Sequence, residues 1–154
     1  MECGNSVSRI AATAVLLALL AAGAQAQALA EEQLVLIVSA GSRIAQLDSL
    51  EVRKLFLGLT VTQNGARLRP VLNETDDRVK EIFLQNIVSM SDITYDRSLL
   101  RLTLIQGQRQ PTAYKDIAVL LEAVAADPSA VSYAWAKDVA HDSRIRILRV
   151  LWYD

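Results

Sequence analysis

Hydrophobic positions follow two periodicities along the chain. The run QLVLIVS at 33–39 is almost continuously apolar and ends in a small residue, which predicts a strand buried on both faces, as in a parallel sheet. Further on, Val52, Leu55, Phe56 and Leu59 follow the i, i+3, i+4, i+7 spacing of an amphipathic helix. Residues 33–59 are therefore predicted to form a buried strand followed by a helix that has one apolar face.

Local signals mark both ends of this first helix. Asp48 is a favourable N-cap residue, and Glu51 three residues later completes a capping-box pattern. Gly58 is a plausible residue for the position just past the C-cap, where a left-handed conformation ends many helices. The pair Asn64-Gly65 is a strong turn signal.

The later segments continue to alternate between strands and helices. ARLRPVLN at 66–73 predicts a strand, in which Pro70 indicates either a sheet edge or a strand end. Thr75 and Ser91 are predicted to cap two further helices, with QGQRQPTAY at 106–114 as a polar loop. A fourth helix and two final strands follow, with apolar spacing over residues 117–125, 130–135 and 144–152. This alternation predicts an α/β fold with a mixed, mostly parallel sheet flanked by helices.

Composition and charge narrow the class of protein. The chain has 154 residues, of which 52% are hydrophobic, so we expect one domain with a packed core. Its 16 basic and 17 acidic side chains give a formal net charge of -1. That balance provides no electrostatic reason to expect a nucleic-acid partner.

The N-terminal pattern predicts export. Arg9 precedes an apolar run at 10–22, and small residues follow, with A-x-A sequences that end at Ala26 and Ala28. The run is shorter than the roughly 20 residues that a membrane-spanning helix needs. A cleaved signal peptide is therefore favoured over an uncleaved anchor.

This interpretation divides the chain into a signal peptide at 1–26, cleaved after Ala26 or Ala28, and an α/β domain at 27–154. The mature protein is expected to be periplasmic or secreted. Cys3 is the single cysteine and would leave with the signal peptide, so the mature chain is expected to have no disulfide and no thiolate metal site.

Motifs of catalysis and cofactor binding are missing from the sequence. No nucleophile elbow, phosphate-binding loop, zinc-protease motif or dinucleotide fingerprint occurs. His141 is the single histidine and lies between acidic residues, where a solvent-exposed role is favoured over a metal or catalytic role. Tyr133 and Trp135 alternate in a predicted strand, where packing is favoured over a stacking platform. We expect a protein that is not an enzyme, with no catalytic residue, metal or cofactor.

The order of these motifs resembles the phosphate ABC transporter substrate-binding proteins, in the short PBP-like (type II periplasmic binding protein) version. The resemblance covers nearly all of residues 34–148 and implies a single lobe of that fold. It also implies that Phe56 fills the core and that Gly58 ends the helix before a surface loop. The segments that carry it are LDSLEVRKLFLG, NGARLRPV, the capped helix with Phe83, QGQRQP and VLLEAVAADPSAVSYAW.

One segment departs from the larger phosphate-binding members of that family. Those members have Ser-Gly-Thr at the helix start, where this chain reads NETDDR and Thr75 alone keeps a hydroxyl. Glu74, Asp76 and Asp77 would repel a dianion at close range, and Arg78 could offset one of them. Phosphate binding by the family's arrangement is therefore expected to be weak or absent.

The sequence thus predicts an exported substrate-binding-protein-like domain that binds a small solute or oxyanion. Its expected partner is a membrane transporter of the ABC type or an envelope-sensing protein, and the oligomeric state is left open. The alternative is a protein-interaction or regulatory module that keeps the lobe without a small ligand. Each candidate ligand-binding residue also has a cap or turn role as its alternative. These candidates are Ser39, Gly41, Ser42, Asn73, Thr75, Arg78, Gly107 and Arg109.

The export prediction is tested by N-terminal sequencing of the protein recovered after secretion. The mature chain should begin at Gln27 or Leu29, because the A-x-A patterns end one residue earlier. Intact protein starting at Met1 in the membrane fraction would contradict it.

Overall fold

The computed structural model describes residues 33–153, so the predicted signal peptide and its cleavage sites lie outside the described residues. Strands and helices alternate along most of this range, as the sequence predicts. In chain order the elements are β1 (Gln33–Ser39), α1 (Ser49–Phe56), β2 (Thr62–Gln63), β3 (Ala66–Arg67), β4 (Arg69–Asn73), α2 (Asp77–Phe83), a π-helical turn (Leu84–Val88), α3 (Asp92–Gln106), β5 (Thr112–Tyr114), α4 (Ile117–Ala126), β6 (Ala130–Trp135), α5 (Ala136–Val139) and β7 (Ile145–Tyr153).

The central sheet has five strands in the order β5-β4-β6-β1-β7. β4 is parallel to both β5 and β6, whereas β1 is antiparallel to both β6 and β7. Four strands therefore run in one direction and β1 runs against them, which confirms the predicted mixed, mostly parallel sheet flanked by helices. A separate two-stranded sheet pairs β2 with β3.

β1 is buried on both faces, as predicted, but the prediction that its neighbours are parallel is wrong. Leu34, Leu36 and Val38 belong to one hydrophobic core, together with residues of α1, α2 and α3. Val35 and Ile37 belong to a second core, together with residues of α4 and α5. Burial on both faces depends on helices covering both sides of a sheet, so the apolar run does not determine strand direction.

Three aromatic rings occupy the centre of the first core. Phe83 stacks on Tyr133 with ring centroids 3.7 Å apart, and Phe56 meets Phe83 edge-on at 4.7 Å. All three side chains are almost completely buried. The prediction that Phe56 fills the core is confirmed.

The predicted start of α1 is confirmed. The Glu51 N–H donates to Asp48 Oδ1 at 2.7 Å, and the Asp48 N–H donates to Glu51 Oε2 at 2.9 Å. This reciprocal pair is a complete capping box, which satisfies two of the backbone donors at the helix start.

The end of α1 is a Schellman motif. The Leu59 N–H donates to the Lys54 carbonyl at 3.0 Å, and the Gly58 N–H donates to the Leu55 carbonyl at 3.1 Å. Gly58 has a φ of 80°, in the left-handed region that glycine adopts without a Cβ penalty. Because the helix ends at Phe56, the prediction that Leu59 extends its buried face is wrong, and Leu59 is 47% exposed.

Two local predictions are refined. Asn64 and Gly65 have φ values of 51° and 78°, which makes the β2–β3 connection a type I′ hairpin turn. Pro70 lies near the start of β4, before the pairing with β5 begins at Val71. β4 is an inner strand, so the strand-end alternative for Pro70 holds and the edge alternative does not.

The prediction that Thr75 caps α2 is wrong. Asp76 is the N-cap, and its Oδ1 accepts from the Arg78 N–H at 2.8 Å. The Thr75 hydroxyl instead donates to Oδ1 of Asn73, two residues earlier in the chain, at 2.7 Å. Ser91 caps α3 as predicted, and its Oγ accepts from the Thr94 N–H.

Gly58→Ala tests the end of α1, with Gly65→Ala and Gly41→Ala as comparisons. Gly58→Ala should be the most destabilising, because it combines a positive φ with a Cβ position 2.9 Å from Leu102 Cδ1. Gly65→Ala retains only the backbone cost, about 1–2 kcal/mol, since its Cβ position is open. Gly41→Ala should change the free energy of unfolding little, because its Cβ position meets only Ser39 Oγ at 3.9 Å. Urea denaturation gives the three free energies, and equal costs for Gly58→Ala and Gly41→Ala would contradict this account.

Candidate functional site

The carboxyl ends of β4, β5 and β6 lie side by side at one edge of the sheet, because these three strands run in the same direction. A cleft of about 370 Å³ opens there, which we call the carboxyl-edge cleft. Ligands of open α/β sheets bind at this kind of edge. The cleft is lined by Thr75, Asp76, Lys115, Asp116, Ile117, Trp135, Lys137 and Asp138.

Asn73 is the last residue of β4, and its side chain makes three hydrogen bonds at this edge of the sheet. Its Nδ2 donates to the Tyr133 carbonyl at 2.8 Å, which joins β4 to β6 beyond their backbone pairing. Its Oδ1 accepts from both the Thr75 N–H at 3.0 Å and the Thr75 hydroxyl at 2.7 Å. The side chain is fully buried, so Asn73 positions Thr75 at the cleft.

Asp76 and Trp135 form the wall between β4 and β6. Trp135 Nε1 donates to Asp76 Oδ2 at 3.1 Å, while the guanidinium of Arg78 lies 5.6 Å from the centre of the Trp135 ring. The hydrogen bond from Trp135 lowers the pKa of Asp76, and the Arg78 N–H and the nearby charges of Arg78 and Lys137 act in the same direction. Asp76 is therefore an anion at neutral pH.

The cleft contains charges of both signs. Asp116 caps α4 by accepting from the Val119 N–H at 3.1 Å. Burial raises the pKa of Asp138; the charge of Lys137 opposes this effect, and the charge of Asp76 adds to it. Three carboxylates thus face two ammonium groups, Lys115 and Lys137.

Helix starts in this cleft are already occupied by protein carboxylates. The free N–H groups of a helix start attract anions, but Asp76 and Asp116 provide such a carboxylate at α2 and α4. A further dianion would meet these charges at close range. The cleft therefore suits a solute with groups of both charges better than a simple dianion.

The structure brings together three of the eight predicted ligand-binding residues. Asn73 and Thr75 lie at the carboxyl end of β4, and Arg78 lies in the first turn of α2 beside Trp135. Asn73 uses its amide within the fold, whereas Thr75 lines the cleft. The predicted ligand roles of Thr75 and Arg78 remain predictions.

A second group of predicted residues lies at the opposite end of the sheet. Ser39, Gly41 and Ser42 follow the carboxyl end of β1, which runs against β4 and β6. Ser39 Oγ donates to the Ala125 carbonyl at 3.1 Å, and the Gly41 N–H donates to Ser39 Oγ at 3.3 Å. Ser42 Oγ donates to the carbonyl of Pro128. These bonds agree with the turn role that was their alternative.

The last two predicted residues are also remote from the cleft. Gly107 is the C-cap of α3 with a φ of 61°, and its N–H donates to the Thr103 carbonyl at 3.0 Å. Arg109 is exposed in the loop that leads into the amino end of β5. The eight residues therefore do not form one site, because the antiparallel β1 carries Ser39, Gly41 and Ser42 to the end of the sheet opposite Asn73 and Thr75.

Four charged residues of the cleft were missed from the sequence. Lys115 and Asp116 follow β5, and Lys137 and Asp138 belong to α5. β5 spans three residues inside the predicted polar loop, and α5 has four residues and no side-chain cap. A signal that could have found Lys137 and Asp138 is their place directly after the predicted strand AVSYAW.

Neither a metal site nor a bilayer-spanning helix is found in the part of the chain that the structure describes. Between residues 33 and 153, no group of three or more His, Cys, Asp or Glu side chains is arranged to hold a metal ion. Over the same range, no helix is long and apolar enough to cross a membrane.

Comparison with known proteins identifies the fold through solved structures. Profiles of known protein families give no match, and no characterised protein matches by sequence. An ABC-type phosphate transport receptor from Vibrio cholerae is similar with a TM-score of 0.56 and 11% identity, over 76% of this chain and 45% of that one. A possible phosphate binding protein from Planctomyces limnophilus DSM 3776 is similar with a TM-score of 0.54 and 13% identity, over 76% and 40%. PstS from Borrelia burgdorferi is similar with a TM-score of 0.50 and 16% identity, over 75% and 46%.

These similarities have a limited extent. The chain spans less than half the length of each of these three proteins. At such low identities they show the fold alone. The described part of the chain thus has the fold of one lobe of a PBP-like binding protein.

Removing the Asp76 carboxylate should destabilise the protein in a pH-dependent way. Asp76→Ala loses the N-cap and the Trp135 hydrogen bond, which should cost about 1 kcal/mol at pH 7. Because the folded-state pKa is depressed, this stabilisation is present above the unfolded-state pKa and is lost as the pH falls through the folded-state pKa.

Denaturation of wild type and variant between pH 7 and pH 2 measures this difference. The gap in unfolding free energy should narrow at the acid end. Asp77→Ala is the matched control, since it removes an adjacent acid that is not the N-cap. A gap that stays constant with pH would show that the Asp76 charge does not stabilise the fold.

Proposed function

We propose that this protein is an exported, non-enzymatic binding protein that holds a small polar solute in the carboxyl-edge cleft. The observation that carries the proposal is the coincidence of a polar cleft of about 370 Å³ with the carboxyl ends of three parallel strands. That volume is in the range of small-molecule sites. Export is supported by the N-terminal sequence pattern alone.

The charges of the cleft favour a solute with both an anionic and a cationic group. Lys115 and Lys137 are suited to a carboxylate or a single oxyanion, and Asp138 is suited to an ammonium or hydroxyl group. Thr75 and the edge of Trp135 add a hydroxyl and an apolar surface. A compact zwitterion of amino-acid size matches this combination.

The similar solved proteins support a role in transport. Two of them are named for phosphate transport or phosphate binding. This chain would work with a membrane transporter of the ABC type or with an envelope-sensing protein. Its substrate would differ from phosphate, because Asp76 and Asp116 stand where an anion would approach the helix starts.

A thermal-shift screen of the mature protein tests the solute site. The screen contains zwitterionic amino acids, sugars, sulfate and inorganic phosphate. Since a ligand that binds only the folded state raises the melting temperature, a zwitterion should raise it in the wild type. The same solute should leave the melting temperatures of Lys137→Gln and Asp138→Asn unchanged.

Two controls make the screen decisive. Arg109 lies outside the cleft, so the melting temperature of Arg109→Gln should rise with the solute as it does in the wild type. Loss of this rise in Arg109→Gln would place the ligand outside the cleft. Phosphate should produce little shift in the wild type and a larger one in Asp76→Asn, which keeps an N-cap side chain but removes the charge. Absence of a shift with every solute would contradict the solute-binding proposal.

A second candidate function is a protein-interaction module, and one observation favours it. α3 exposes four large apolar side chains, Ile93, Leu100, Leu104 and Ile105, with exposed fractions of 66%, 50%, 76% and 69%. Clustered apolar exposure of this kind marks interaction surfaces.

A further inference from the structure

The outer surface of α3 has a regular pattern. Ile93, Arg97, Leu100 and Leu104 are separated by steps of four, three and four residues, and all four are exposed. At 100° per residue they form one stripe along the helix. We call these four residues the α3 seam.

The seam faces away from the protein. Tyr95 and Leu99 point to the opposite side of the helix, where they are 1% and 6% exposed within the first core. The Tyr95 hydroxyl donates to the Phe56 carbonyl at 2.7 Å, which fixes the rotation of α3 about its axis. No element within residues 33–153 covers the seam, since its apolar side chains are at least half exposed.

The spacing of the seam is that of a heptad repeat. Ile93 and Leu100 occupy d positions, and Arg97 and Leu104 occupy a positions. Asp96 then falls at g and Arg101 at e, on opposite sides of the stripe. A seam that is apolar at three of its four positions and flanked by opposite charges is the pattern of a helix that pairs with another helix.

The flanking charges of Asp96 and Arg101 favour a second copy of this chain as the partner and a parallel direction. When two copies of α3 are parallel, the g residue of one faces the e residue of the other, so Asp96 meets Arg101 of the second copy twice across the two-fold axis. When the copies are antiparallel, the g flank of one copy lies against the g flank of the other, so Asp96 is on the same side as Asp96 of the second copy. Self-complementarity of this kind is what a two-fold interface requires.

We infer that α3 pairs in parallel with α3 of a second copy of this chain, which gives a two-fold dimer. The seam covers only about two heptads, and Arg97 occupies an a position, where it lies beside Arg97 of the second copy and the two like charges cost stability. The dimer is therefore weak and concentration-dependent.

An apolar groove beside the seam adds contact surface on the Arg101 side. The groove has a volume of about 370 Å³ and lies between α3 and the loop after α1. Leu59 and Ile105 on its walls are 47% and 69% exposed. A dimer through α3 places this groove at the rim of the interface.

A charge-reversal cycle tests the dimer. Sedimentation equilibrium of the purified protein should show a monomer–dimer equilibrium. Asp96→Arg and Arg101→Asp should each raise the dissociation constant about tenfold, because two attractive pairs become two repulsive pairs. The double variant D96R/R101D should return it close to the wild-type value, and circular dichroism should show that all variants remain folded.

A disulfide experiment tests the direction. In a Cys3→Ser background, Leu104→Cys should form a dimer disulfide, since equivalent seam residues are adjacent in a parallel pair. In an antiparallel pair Leu104 would face Ile93, and the two Leu104 positions would be about 16 Å apart, beyond the reach of a disulfide. A mixture of Ile93→Cys and Leu104→Cys chains would then form the mixed disulfide instead.

Four outcomes would overturn the inference. One is a chain that stays monomeric at the highest concentration reached. Another is a double charge variant that associates as weakly as the single variants. A third is the mixed disulfide of the antiparallel arrangement. The fourth is a different protein that covers the seam while the chain remains monomeric. The test uses no solute, so its failure leaves the solute-binding proposal untouched.

Discussion

The burial of β1 on both faces is the constraint on which the rest of the fold depends. Alternate side chains of this one strand enter different cores, Leu36 on one side and Ile37 on the other. Helices must therefore cover both faces of the sheet, as they do in α/β proteins. Because β1 is antiparallel to β6 and β7, the carboxyl end of β1 lies at the edge of the sheet opposite the carboxyl end of β6. The carboxyl ends of β4, β5 and β6 share one edge, and the carboxyl-edge cleft forms there.

The amide of Asn73 connects this architecture to the cleft. The Asn73 side chain is fully buried. It joins β4 to the backbone of β6 at Tyr133, and it also holds the turn that follows β4 by accepting from the Thr75 N–H. Burying an amide is unfavourable unless its donors and acceptors are used, and the Asn73 bonds meet that condition. The same turn leads to Asp76, which the Trp135 indole anchors from β6. Core packing and cleft electrostatics are thus coupled through two neighbouring polar contacts.

The sequence predicted best where the signal is local. Asp48 with Glu51 predicted the start of α1, and Gly58 predicted its end, because caps depend on residues within one helical turn. The direction of β1 could not be predicted, since an apolar run looks the same beside parallel or antiparallel neighbours. Lys137 and Asp138 were missed because a four-residue helix has no periodicity to detect. Thr75 was preferred as a cap over Asp76 because both residue types cap well. The Asn73 side chain that accepts from the Thr75 hydroxyl is held by its bond to the Tyr133 carbonyl, which depends on tertiary structure.

The two faces of α3 explain why its role is hard to infer from the sequence. Apolar residues occur around most of the helix, a pattern typical of a buried helix, although only Tyr95 and Leu99 are buried. Lys80 pairs with Asp92 at 2.8 Å and with Glu74 at 3.1 Å, which ties the start of α3 to the segment after β4. The helix is thus held on one side by its first turn and by the Tyr95 hydroxyl, and Ile93, Leu100 and Leu104 on the opposite side are at least half exposed. An apolar surface held this rigidly incurs little ordering cost on association, which is the physical condition that favours its use as an interface.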